Sequence, residues 1–109
     1  MDSDSPSGNS YPAHIRFRLS AQRSLWGNVS PSWRQVSIAV HEPTREYRIR
    51  FVFTNDASDA ELEDANEAVG EIMADFPDWE GSEEYLKSDP PERPEPLDWV
   101  IYSRKENSY

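Results

Sequence analysis

Residues 55–86 read NDASDAELEDANEAVGEIMADFPDWEGSEEYL. The stretch holds twelve Asp and Glu residues and neither Lys nor Arg. Within it, residues 58–76 predict one amphipathic helix. Leu62, Ala65, Val69, Ile72, Met73 and Phe76 recur at helical spacing and share a face. At about 100° per residue, Glu63, Asp64, Glu67, Glu71 and Asp75 share the opposite face. Ser58 with Glu61 three residues later fits a capping box, and acids in the first turn suit the positive end of the helix dipole. One face is made for a core, and the other is a block of like charge.

The segment before the helix supplies what it would cover. Val36, Ile38 and Val40 alternate along residues 34–41, and Tyr47, Ile49, Phe51 and Phe53 alternate along residues 47–53 with Arg48 and Arg50 on the other side. Glu42-Pro43-Thr44-Arg45 between them predicts a hairpin turn. A two-stranded hairpin needs a cover on its apolar face. Each helix side chain buried there contributes roughly 1.5–3 kcal/mol before conformational entropy opposes it.

Farther out the pattern is less decisive. Residues 12–28 carry two periodicities. Ile15, Phe17 and Leu19 alternate with arginines as in a strand, while Phe17, Ala21 and Leu25 recur every four residues as in a helix. The expectation is a helix over at least residues 18–26, stopped at Gly27-Asn28, with a short strand before it left open. Residues 29–32 predict a loop. Past Pro77 the chain turns irregular through Trp79 and Gly81, and residues 83–88 predict a short strand. Residues 89–96 hold four prolines and predict an extended connector. Residues 97–104 predict a last strand. Trp26, Trp33 and Trp99 are expected in the core. The order α-β-β-α-β-β points to an α+β two-layer sandwich, with a small, mainly antiparallel sheet of about four strands and helices on one face. A polar leader at residues 1–11, a single domain over 12–105 and a tail at 106–109 complete the division.

Composition excludes several functions. A chain of 109 residues is long enough to bury a core without staples. Its formal net charge of −10 disfavours sequence-independent binding to nucleic acid or anionic membrane, and steers basic partners toward it. The absence of cysteine removes disulfides, thiolate nucleophiles and zinc–cysteine sites. No apolar run approaches the ~20 residues of a membrane span. The location expected is cytoplasmic, and the state a monomer or weak dimer.

No catalytic motif stands out. His14 and His41 are the two histidines, and neither has a partner that the sequence identifies; His41 is expected to be an ordinary strand-end or turn residue. Gly-x-Ser-x-Gly and phosphate-binding glycine loops are absent. Asp59, Glu61 and Glu63 superficially resemble a calcium loop, but the glycine and terminal Glu are missing at the required offsets. No enzyme activity, cofactor or metal is expected. The acidic helix face has two readings. It could be a solvated surface, partly paired with the arginines of the first half, in which each exposed pair contributes only ~0–1 kcal/mol. Yet Glu63, Glu67, Glu71 and Asp75 lie four apart, where like charges repel. A basic partner would explain that ladder. Trp79 and Tyr85 follow it, and aromatic anchors in a charged rim are typical of interface hot spots. For Trp79, satellite core packing beneath the proline-rich connector is the competing expectation. The expected partner-binding residues are Glu63, Asp64, Glu67, Glu71, Asp75, Asp78, Trp79, Glu80, Glu83, Glu84 and Tyr85.

Several runs together resemble a known family: RLSAQRSLWGNVSP at 18–31, IRFVF at 49–53, ADFP at 74–77 and WVIYSRKE at 99–106. They resemble a family of short, uncharacterised, acidic bacterial proteins, which in turn is similar to immunity proteins of toxin systems of the contact-dependent inhibition type. The resemblance implies a small α/β fold and a bacterial cytoplasmic setting. Taken together with the uncompensated acidic face and the missing catalytic motif, it leads to the expectation of a non-enzymatic protein that neutralises a cognate toxin, expected to be a nuclease, through an acidic surface. The alternative expectation is an acidic nucleic-acid mimic or regulatory module acting on another basic partner.

Overall fold

A computed structural model describes residues 12–27 and 29–105. The expected leader and tail lie outside the described residues. In chain order the elements are α1 (Ala13–Leu25), β1 (Trp33–His41), a 3-10 turn (Glu42–Thr44), β2 (Glu46–Phe53), α2 (Asp59–Asp75), β3 (Glu80–Lys87) and β4 (Trp99–Ser103). The α-β-β-α-β-β order and the α+β architecture are those the sequence predicts.

The four strands lie in the order β3-β2-β1-β4. β1 pairs antiparallel with both β2 and β4, whereas β2 and β3 are parallel. Length explains the parallel pair. Seventeen helical residues rise about 25 Å, and the eight residues of β2 advance about 26 Å. α2 therefore carries the chain back to the end where β2 began, and the next strand must run in the same direction.

Val36 and Ile38 of β1 and Tyr47, Ile49, Phe51 and Phe53 of β2 form the apolar face of the sheet, all buried. α1 covers it with Phe17, Ala21 and Leu25, and α2 with Ala65, Ala68, Val69, Ile72 and Phe76. Phe17 sits at the junction. Its ring stacks on Phe76 at 3.7 Å and meets Tyr47 at 4.6 Å and Trp79 at 4.9 Å.

α1 corrects the sequence reading at both ends. It starts at Ala13, so the strand alternative for residues 15–19 fails, and it stops at Leu25, with Gly27 at φ 86° providing the left-handed exit. The start is early because the turn between β1 and β2 supplies the cap: Ala13 N–H donates to Glu42 Oε2 at 3.2 Å. Trp26 is a second correction. It is 86% exposed, whereas Trp33 is fully buried and Trp99 is half-buried under a stacked His14. Trp26 lies nine positions after Phe17, half a turn from the buried face. Met73 is a third: it sits at the margin of the apolar stripe of α2 and is 46% exposed. β3 begins at Glu80, three residues before the predicted start, because Glu80 N–H already bonds Arg45 O at 2.9 Å.

The proline-rich residues 88–98 cross the sheet on the face opposite the helices. They act as a strap from the end of β3 to the start of β4. Arg34 donates to Ser88 O at 2.6 Å and Glu92 O at 2.7 Å, Arg50 to Glu95 O at 2.7 Å, and Leu97 N–H to Ser37 Oγ at 2.9 Å. Prolines cannot donate, so an extended strap leaves carbonyls that the strand arginines satisfy. Arg34 is only 5% exposed.

Candidate partner-binding surface

The acidic side of α2 is set by its N-terminus. The capping box predicted from Ser58 and Glu61 is present: Glu61 N–H donates to Ser58 Oγ at 3.2 Å, and Ser58 N–H to Glu61 Oε1 at 2.9 Å. That backbone hydrogen bond is the main reason the Glu61 carboxyl titrates below its ordinary value. The cap fixes where the helix starts, and hence which side chains face out.

The acids of α2 then divide. Asp75 turns toward α1, where it pairs with Arg23 and accepts from Ser20 Oγ at 2.6 Å. Asp64 lies on the same flank and accepts from Ser30 Oγ at 3.3 Å. Glu63, Glu67 and Glu71 project from the outer surface, exposed, and among the described residues none of the three is in an ion pair. Intramolecular pairing with arginine therefore accounts for Asp75 but not for this row.

β3 distributes its side chains between two faces. In register with Tyr47, Ile49 and Phe51, residues Gly81, Glu83 and Tyr85 lie on the helix side. Tyr85 stacks on Phe51 and Phe53 at centroid distances of 5.5 and 6.1 Å, yet remains 37% exposed. Burial raises its phenol pKa, and Glu83 of β3 and Glu63 of α2 raise it further. Glu84 is on the other face, bound to Arg50 Nε at 2.9 Å. Trp79 is half-buried against Phe17 rather than beneath the strap. Asp78 is exposed beside it and lines a groove of about 630 Å³ with Arg16, Arg45 and Asp75. Glu80 is exposed and borders a second groove of about 570 Å³ with His41, Arg48 and Asp98.

The eleven expected residues thus do not form one patch. The structure brings Glu63, Glu83 and Tyr85 together beside Glu67 and Glu71, and turns Asp64, Asp75 and Glu84 elsewhere. Sequence reading missed the exposure of Leu19, 53% exposed on the outer face of α1, and of Trp26, 86% exposed just past its end. Their seven-residue spacing, opposite Phe17, was the signal.

For chemistry, His41 is exposed at the end of β1, its Nδ1 2.8 Å from Thr44 Oγ1, which donates to Glu46 Oε1 at 2.7 Å. This network ties the turn together. Among the described residues no group of three or more His, Cys, Asp or Glu could hold a metal ion. No described helix is long and apolar enough to cross a membrane.

The chain is thus a small α+β domain that presents on α2 an acidic row in no ion pair among the described residues, and on β3 a partly exposed tyrosine. The family model described as MafI2 immunity protein matches residues 14–106, and the chain belongs to this family. The matched span takes in every strand and both helices apart from Ala13. A search of curated proteins gives no match.

Proposed function

We propose that this chain neutralises a cognate toxin by binding it, without catalysis, through the outer face of α2 and the adjoining face of β3, in the cytoplasm. The observation that carries the reading is the row Glu63, Glu67 and Glu71. Carboxylates four apart on a helix repel by a few tenths of a kcal/mol per pair, and no described cation relieves them. A basic partner surface would relieve them on binding. It would also be steered toward a chain whose net charge is −10. The family supports toxin neutralisation. The charge supports a toxin with a basic cleft, as a nuclease needs for phosphate, and the carboxylates would stand in for the nucleic-acid backbone.

Replacing Glu63, Glu67 and Glu71 together by Lys tests this reading. The triple variant is expected to fold, because all three side chains are exposed and the cap and core are untouched. It is expected to lose protection of toxin-producing cells, with unchanged circular dichroism as the check on folding. Full protection by the folded variant would remove the acidic helix from the interface.

A further inference from the structure

β3 forms one edge of the sheet, and the ladder determines which of its backbone groups face outward. Glu80 N–H donates to Arg45 O at 2.9 Å and Ser88 N–H donates to Phe53 O at 2.8 Å. Even-numbered residues therefore turn their N–H and C=O groups toward β2. The direction alternates along a strand, so Gly81, Glu83, Tyr85 and Lys87 direct theirs away from the sheet. Among the described residues no strand pairs with this margin. The strand is eight residues long and contains no proline, so nothing in its backbone prevents further pairing.

Charge selects the occupant. A second copy added edge to edge would bring acidic β3 strands together, and like charges in cross-strand contact destabilise pairing. Anionic polymers and membranes meet the same repulsion. A basic extended segment meets the opposite. Its side chains on the helix side would lie beside Glu83 and the exposed ring of Tyr85, within reach of the field of Glu63. A guanidinium there gains both the carboxylates and the ring face. On the other side it would meet Ser82, and Glu84 already bound to Arg50, so that face favours small or uncharged side chains.

We propose that the outer edge of β3 takes up an extended segment of the toxin as an added strand, with cationic side chains alternating with small or uncharged ones. The inference rests on the toxin-neutralising reading above and adds the mode of contact to it.

The test is amide hydrogen exchange on the full chain, free and bound to the toxin it protects against when the two are co-expressed. The amides of Glu83 and Tyr85 are expected to exchange at least about tenfold more slowly in the complex, while those of Ser82, Glu84 and Leu86 are protected in both states. A complex in which Glu83 and Tyr85 exchange as in the free chain overturns the added strand and leaves toxin neutralisation standing. A second comparison separates backbone from charge. Glu83→Thr removes the carboxylate and keeps the outward N–H, whereas Glu83→Pro removes both without breaking a bond to β2. The proline variant is expected to bind at least about tenfold more weakly than the threonine variant, from the loss of an inter-strand hydrogen bond and its neighbours. Equal affinity would overturn the proposal. If the triple lysine variant still protects while the outer amides gain protection, the edge stands and the acidic helix falls. If the unmodified chain forms no complex with any toxin, both readings fail.

Discussion

Gly81 shows how much one residue can decide. A Cβ placed there would lie 2.2 Å from the Tyr47 ring, which is itself buried against Phe17. The ring must shift from its packing on Phe17 to admit a methyl group, so Gly81→Ala is expected to cost about 1–3 kcal/mol by overpacking, read as a lower urea midpoint. Tyr47 also sets an alkaline limit. Burial, and to a lesser degree Glu83, raises its phenol pKa, as burial and the same carboxylate do for Tyr85. A group whose folded pKa exceeds its unfolded value contributes stability that is complete below the unfolded value. For tyrosine that is about pH 10, and the contribution is lost as pH rises through the folded value. Urea unfolding from about pH 9 upward should therefore show stability falling above about pH 10, and Glu83→Gln should lessen the fall.

Among the elements, α2 was the most legible in the sequence, because its cap, its period and its charge all agree. Ser58→Ala is expected to cost about 0.5–2 kcal/mol in thermal or urea unfolding, since it strands the Glu61 N–H at the helix start. The same readout should show the capping contribution of Glu61 present above the ordinary glutamate range and lost as pH falls through its lowered folded value. The hairpin was legible for the same reason: apolar and polar residues alternate from Val36 to Ile38 and from Tyr47 to Phe51. The start of α1 was not, because its cap comes from Glu42, 29 positions away, and local sequence carries no record of that contact. The parallel β2–β3 pair follows from the lengths of α2 and β2 together rather than from either pattern alone. The candidate site was legible in its residue types but not in its division. Glu84 and Tyr85 lie on opposite faces of β3, as the strand expected over residues 83–88 implies, whereas Asp64 and Asp75 turn toward Ser30 and Arg23 through contacts 34 and 52 positions apart.

At the scale of the whole molecule, charge is segregated. Arg34 and Arg50 bind the strap, Arg23 binds Asp75, Arg16 lies over the Phe76 ring and Arg18 over the Trp99 ring. With these cations engaged in contacts of the fold itself, the α2 row, which is in no ion pair among the described residues, and the acids of β3 carry the charge left for a partner. Association with the toxin is therefore expected to slow by roughly tenfold or more as salt rises from low ionic strength to ~0.5 M, while dissociation changes far less. Stopped-flow binding across a salt series measures both rates, and a salt-independent association rate would count against steering by this surface. Trp26 has a consequence of a different kind. Indole emission shifts to shorter wavelength in apolar surroundings. Trp33 is enclosed and Trp79 and Trp99 are half-covered, whereas Trp26 already sits in water. Unfolding therefore changes the colour of the first three far more than that of Trp26. The native chain carries an internal optical contrast, in which the long-wavelength edge of its fluorescence reports on the exit from α1 and the short-wavelength edge on the core.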